Sequence, residues 1–199
     1  MRKKSEERRQ SILDVAAEVF NEMGVDRASM AEISARLGGS KATLYSYFSS
    51  KEEIFLEVMR QQAGMQFDSL FALLDDDSDT RATLKLFGVK FLQLVFSPEI
   101  IVVRRLMYYH AERSQLGCLY YENGPKRGWA AIAAFMQRAM DKGDLRVADP
   151  VLAATQFRAL MEAEWSEGRI LGVITSMPLA KVKESMERSL DAFFLIYGV

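Results

Sequence analysis

The sequence predicts an all-α protein with a small N-terminal helical head and a larger helical C-terminal part. Three observations carry that reading. Apolar residues recur at helical spacing through most of the chain, as in Ile12, Ala16, Val19, Phe20 and Met23. All four prolines stand where a helix opens, in Ser97-Pro98-Glu99, Gly124-Pro125, Asp149-Pro150 and Met177-Pro178. A proline there gives up an N–H that would have no partner within the helix. No alternating β pattern or Asn-Gly hairpin signal competes.

The first helix is expected from about Glu7 to Met23, ended by Gly24. The next stretch, SMAEISARLGGSKATLYSYF (Ser29–Phe48), reads as helix, glycine turn, helix. Ser29 and Glu32 have the spacing of a capping box, in which each side chain reaches the other's backbone N–H. Ile33 and Leu37 give one apolar face, Gly38 and Gly39 the turn, and Ser40 a second cap. In the second helix, Lys41 to about Tyr47, Leu44 and Phe48 face inward and Lys41, Ala42, Thr43 and Ser46 face out. Helices shorter than about 12 residues are marginal alone, so both must pack on the first. That is the arrangement of a helix-turn-helix, whose second helix enters the DNA major groove. Lys41 and Thr43 have the chemistry for base edges, Ala42 offers a methyl group and Ser46 a hydroxyl.

SKATLYSYF followed by SSKEEIF (Ser49–Phe55) resembles the signature of TetR-family transcriptional regulators, and the resemblance covers roughly Arg8 to Met59. It implies double-stranded operator DNA as partner, near-palindromic because such regulators act as homodimers. By position it implies phosphate contacts from Ser29, Tyr45, Tyr47 and Lys51. The competing reading for Tyr45 and Tyr47 is that one of them packs inward; for Lys51, that it is merely solvated. Arg2, Lys3, Lys4, Arg8 and Arg9 form a basic arm, read either as a solvated terminus or as a phosphate or minor-groove contact.

A fourth helix, about Lys51 to Leu74, carries Phe55, Val58, Met59, Met65, Leu70, Leu73 and Leu74 on its buried side. The expected organisation is a DNA-binding domain over 1–50, a connecting helix over 51–74 and a ligand-binding and dimerisation domain over 75–199. Asp75-Asp76-Asp77-Ser78-Asp79 marks the boundary. It fails as a calcium loop, since Thr80 and Leu86 fall where an EF-hand needs Gly and Glu.

Beyond it, helices are expected over Thr80–Phe96, Pro98–Ser114, Pro125–Lys142, Pro150–Leu171 and Pro178–Tyr197. EIIVVRRLMYYHAE and GPKRGWAAIAAFMQRAMDKGDLR resemble a C-terminal domain common among TetR-type regulators, which implies a fold and a dimer but no particular ligand. The resemblance implies a small hydrophobic effector, with Phe91, Met107, Tyr108, Phe135, Met161 and Trp165 as candidate pocket residues and plain core as the alternative. Arg104, His110, Glu112, Glu162 and Glu164 stand out as polar groups on apolar helices, any of which would set ligand specificity if it faced a cavity. Phe157, Val182, Met186, Leu190, Phe193 and Tyr197 form stripes that suit a four-helix dimer interface or the inside of one subunit.

Composition bounds the rest. A net charge of −1 argues against a generally sticky nucleic-acid binder. One cysteine, Cys118, excludes an internal disulfide framework and fits the cytoplasm. The charged N-terminus does not read as a signal peptide, and no apolar run has the length of a membrane span. One histidine, His110, leaves little for catalysis, and no cofactor or metal is expected. The expectation is a ligand-responsive repressor; the alternative is an architectural DNA-binding protein of the same fold without a ligand.

Overall fold

The computed structural model describes residues 5–76, 78–111 and 115–199. Arg2, Lys3 and Lys4 of the basic arm, and Glu112 among the polar candidates, lie outside the described residues. The chain forms two compact units, Met1–Gly64 and Met65–Val199. The division falls inside a helix rather than at the acidic stretch around Asp76. Among the described residues there is no strand; Leu145 and Gly198 make one isolated antiparallel bridge.

The first unit contains α1 (Glu6–Met23), α2 (Met30–Leu37), α3 (Lys41–Tyr47) and the start of α4 (Lys51–Phe71). Three serines set its helix starts. Ser5 accepts from Arg8 N, Ser29 from Glu32 N and Ser40 from Thr43 N, each satisfying a donor with no intrahelical partner. Only half of the expected capping box forms, because the Glu32 carboxylate pairs with Arg36 Nε at 2.8 Å. Gly38 ends α2 at φ 69°, ψ 28°, where a side chain would be strained. Ile12, Leu13, Ala16, Val19 and Phe20 of α1 are buried together with Ile33, Leu44, Phe48, Ile54, Phe55 and Val58. Phe20 meets Phe55 edge-on at 5.2 Å. Burial of each large side chain is worth about 1.5–3 kcal/mol, so packing rather than intrinsic propensity holds helices as short as α2 and α3.

In the second unit a 3-10 turn, Ala72–Asp75, follows α4. Then come α5 (Thr80–Val95), α6 (Pro98–His110), α7 (Leu116–Asn123), α8 (Pro125–Lys142), α9 (Pro150–Glu162), α10 (Ser166–Ile170) and α11 (Leu179–Tyr197). Asp79, Ser97 and Asp149 cap α5, α6 and α9. Helix α5 packs on α6, α9 and α11, while α8 packs on α7 and α9. Gly88 on α5 is buried where a Cβ would collide with Met186 and press on Met161.

Several expectations are corrected. The helix expected over Pro150–Leu171 breaks at Ala163–Trp165, where the Trp165 indole N–H is fixed on Ser185 Oγ at 2.8 Å. The short helix α7 carried no sequence signal. Met65, expected on the buried side of α4, is exposed. Most consequentially, Phe157, Val182, Met186, Leu190, Phe193 and Tyr197 are all buried within one subunit. Their stripes pack α9, α11 and α5 together, so these side chains do not form an interface between chains. The outer faces of α9 and α11 carry Leu152 and Leu195 instead, 50% and 83% exposed.

Among the described residues no single helix is long and apolar enough to cross a membrane. The helices α5 and α6 reach that composition only as a pair bent by 69°.

Candidate functional site

Helix α3 presents its residues as the sequence divides them. Leu44 and the following Phe48 are buried, while Lys41, Ala42, Tyr45 and Ser46 are exposed and Thr43 and Tyr47 half-buried. The hydroxyls are already ordered: Thr43 Oγ1 sits 2.9 Å from Ser40 Oγ, and Ser46 Oγ donates to the Thr43 carbonyl at 2.7 Å. Each keeps a lone pair for a further partner. The outer face therefore combines one ammonium, two short hydroxyls and a methyl group on a helix that its other face anchors.

Ser29, Tyr45 and Lys51 line one open surface groove of about 480 Å³, together with Ala28, Met30, Ala31, Ser49, Ser50 and Glu52. Tyr47 is placed differently. Its hydroxyl accepts from the backbone N–H of Ser5 at 3.1 Å, which ties the end of α3 to the start of α1.

Lys51 departs from expectation. Its ammonium donates to the carbonyls of Val25 (2.8 Å), Asp26 (3.0 Å) and Ala28 (2.9 Å). An ammonium has three donors, and all three close the loop between α1 and α2. Lys51 is thus a brace beneath the groove and has no donor left for a phosphate. Arg9 is also turned inward. It lies over the Phe48 ring at 5.2 Å and pairs with Glu57 at 3.0 Å. Arg60, aided by Arg9, holds the Glu57 carboxyl below the usual carboxylate range against the opposing effect of burial. None of these braces has a periodicity or motif that sequence reasoning would detect.

In the second unit, Phe91, Phe135, Met161 and Trp165 join one apolar core, and Met107 is buried. Tyr108 is 60% exposed and lies beside Arg104. One open groove of about 410 Å³ in this unit is lined by Gln66, Ser69, Leu70, Lys90, Gln93, Leu94 and Ser97, none of them an expected pocket residue. A different group stands out, where α6, α7, α8 and α9 adjoin. Arg104 Nη2 donates to Glu162 Oε2 at 3.0 Å, with both side chains nearly buried. The guanidinium lies 4.9 Å from the Phe96 ring centroid. Burial works against its charge, and Glu162 first, then Tyr108, outweigh it and raise its pKa. On α7, burial pushes the Tyr120 hydroxyl up, with Arg104 opposing. Of the other polar candidates, Glu164 pairs with Arg188 at 2.7 Å and His110 sits edge-on to Tyr109.

Aromatic contacts run from this group to the end of α4. Arg158 of α9 stacks on Trp129 at 4.9 Å. Trp129 meets Phe91, Phe91 meets Phe87, and Phe87 meets Phe71, each at 5.7 Å between ring centroids. Phe71 lies against Gly128 of α8, where a Cβ would approach its ring to 2.5 Å. Among the described residues no group of three His, Cys, Asp or Glu side chains is placed to hold a metal ion.

Residues 12–58 match the family of bacterial regulatory proteins of the TetR type, and residues 82–199 match the C-terminal domain of AefR-like transcriptional repressors. The HTH-type transcriptional activator FasR of Mycolicibacterium smegmatis is 38% identical over 80 residues, 40% of this chain and 36% of that protein. The regulator BetI of Rhizobium meliloti is 29% identical over 109 residues, 54% of each chain. The matches thus span about a third to a half of these curated relatives. A TetR-family regulator structure from Mesorhizobium loti superposes with a TM-score of 0.81 at 27% identity, covering 98% of this chain and all of that one. The flavonoid-responsive regulator FrrA superposes at 0.70 with 25% identity, covering 98% of each chain. With family matches to both the head and the C-terminal helices, the chain belongs to the TetR family.

Proposed function

We propose that this protein is a sequence-specific DNA-binding regulator of transcription, acting as a repressor that a small effector releases from its operator. The observation that carries the reading is α3 itself, with Lys41, Ala42, Thr43 and Ser46 outward over buried Leu44. Lys41 and Thr43 read base edges, and Ser29, Tyr45 and Tyr47 position the helix through phosphates. A homodimer places two copies of α3 in successive major grooves of a near-palindromic site. The outer faces of α9 and α11, with Leu152 and Leu195, supply the dimer contact in place of the buried stripes. A cytoplasmic location accompanies this role.

Effector release requires a ligand that prefers one geometry over another, since equal affinity shifts nothing. The aromatic run from Trp129 to Phe71 gives such a preference a physical route to the last turn of α4. One observation favours the ligand-free architectural alternative: most of the expected pocket residues are packed as core. Fluorescence anisotropy on the DNA upstream of the protein's own gene, with excess competitor and at two salt concentrations, tests the proposal. Saturable binding that survives competitor supports it; binding at many unrelated sequences with equal affinity supports the architectural reading.

A further inference from the structure

Arg104 is buried with its positive charge only partly answered. Nη2 reaches Glu162, while Nη1 is enclosed and has no hydrogen-bond partner among the described residues. A buried unpaired donor on a charged group is costly enough to need a reason. Glu162 does not neutralise its surroundings either, because Arg158 approaches its other oxygen, Oε1, at 3.9 Å. Two guanidiniums thus share one carboxylate, leaving a local charge of about +1. Aromatic surface flanks them: Phe96 under Arg104 and Trp129 under Arg158. Tyr120 adds a hydroxyl that feels both Arg104 and Glu162.

We propose that this group is the polar anchor of the effector site, and that the effector is a monoanion, a carboxylate carried on an apolar or aromatic body. The carboxylate supplies the acceptor that Nη1 lacks and offsets the surplus charge, and the apolar body packs on the neighbouring rings. Guanidinium suits this role because its planar fork pairs with carboxylates. A cationic ligand meets the wrong sign here. Through Arg158 the anion also touches Trp129, the first ring of the route to α4. This inference rests on the effector reading above and adds the chemical class of ligand and its anchor.

The test titrates the full-length protein, by calorimetry and tryptophan fluorescence, with 3-phenylpropionate and octanoate, their neutral amides, and choline. Both carboxylates are expected to bind at least about tenfold more tightly than their amides, and choline least. Arg104→Gln abolishes the preference for carboxylate over amide. Glu162→Gln acts in the opposite direction and tightens carboxylate binding, because it removes the competing anion and keeps Arg104. A merely structural ion pair would make both variants worse alike. Circular dichroism checks that each is folded; should Arg104→Gln unfold, Glu162→Gln still decides. Amides or choline binding as well as the carboxylates, or Glu162→Gln weakening carboxylate binding, overturns the anionic anchor and leaves the effector reading standing. Failure of both carboxylates to bind a folded protein that still recognises DNA likewise overturns the anionic anchor.

Discussion

Lys51 Nζ lies 2.9 Å from the carbonyl oxygen of Ala28, so the first residue of α4 holds the residue just before the cap of α2. With Val25 and Asp26 as its other acceptors, this lysine fixes the loop that places the helix-turn-helix against α1. Lys51→Met is therefore expected to destabilise the protein by about 1–3 kcal/mol, since it strips a charged donor from partly buried carbonyls. Thermal unfolding checks this. If Lys51 were instead a phosphate contact, the variant would keep its melting temperature and lose only salt-dependent affinity for DNA.

Lys41→Ala and Thr43→Ala should weaken operator binding and leave folding and dimerisation intact, because both side chains project from the outer face of α3. A bidentate base contact is worth about 1–3 kcal/mol in discrimination and a single hydroxyl contact less, but it acts on sequence choice, so Thr43→Ala should lose specificity more than non-specific affinity. Anisotropy titrations against operator and scrambled duplexes separate the two. Unfolding of both variants would contradict their surface placement.

Charged substitutions on α9 and α11 should divide by face. Phe193→Asp puts a charge into a fully buried site beside Phe157 and Tyr197 and should unfold the second unit. Leu195→Arg, two residues on, should leave the fold intact and yield monomers. Light scattering and circular dichroism distinguish these outcomes; a folded dimer of Leu195→Arg would remove the outer face of α11 from the proposed interface.

Those two positions also show what was legible in the sequence. The all-α class, the cap serines, Gly38 and the inward and outward faces of α3 follow from local rules that tertiary contacts reinforce. The stripe through Leu190 and Phe193 was equally plain, but periodicity identifies a face that needs burial and says nothing of what buries it. The family resemblance points Lys51 at a phosphate, and Arg104 stands out only as a polar group on an apolar helix. Their partners stand 23 and 58 residues away, a separation no spacing rule bridges. At the break after α9, Trp165 reaches Ser185 on α11, again a contact between distant segments.

Gly88 lets α5 approach α11 where Met186 and Met161 fill the space. Gly88→Ala should improve helix propensity slightly yet destabilise overall, since overpacking a buried site costs about 1–3 kcal/mol. A denaturant melt checks the sign, and a more stable variant would show that the methionines yield freely.

Glu57 gives a pH signature in the first unit. Its folded pKa is depressed by Arg60 and then Arg9, so its contribution is present above the unfolded carboxylate value and is lost as pH falls through the folded one. Glu57→Gln should flatten stability across that acidic window, lowering stability near neutrality and changing little below the folded value, where Glu57 is itself uncharged. Urea melts at a series of pH values measure this; parallel curves for both proteins would mean the ion pairs contribute nothing.

We propose that α3 reads DNA sequence as one half of a symmetric pair. Selection of the purified protein against a randomised double-stranded DNA library tests it most directly, without knowledge of the natural operator. The expected result is convergence on one near-palindromic sequence, bound by two copies of the chain and lost in Thr43→Ala. Retention of DNA with no convergent sequence, unchanged in Thr43→Ala, would contradict it.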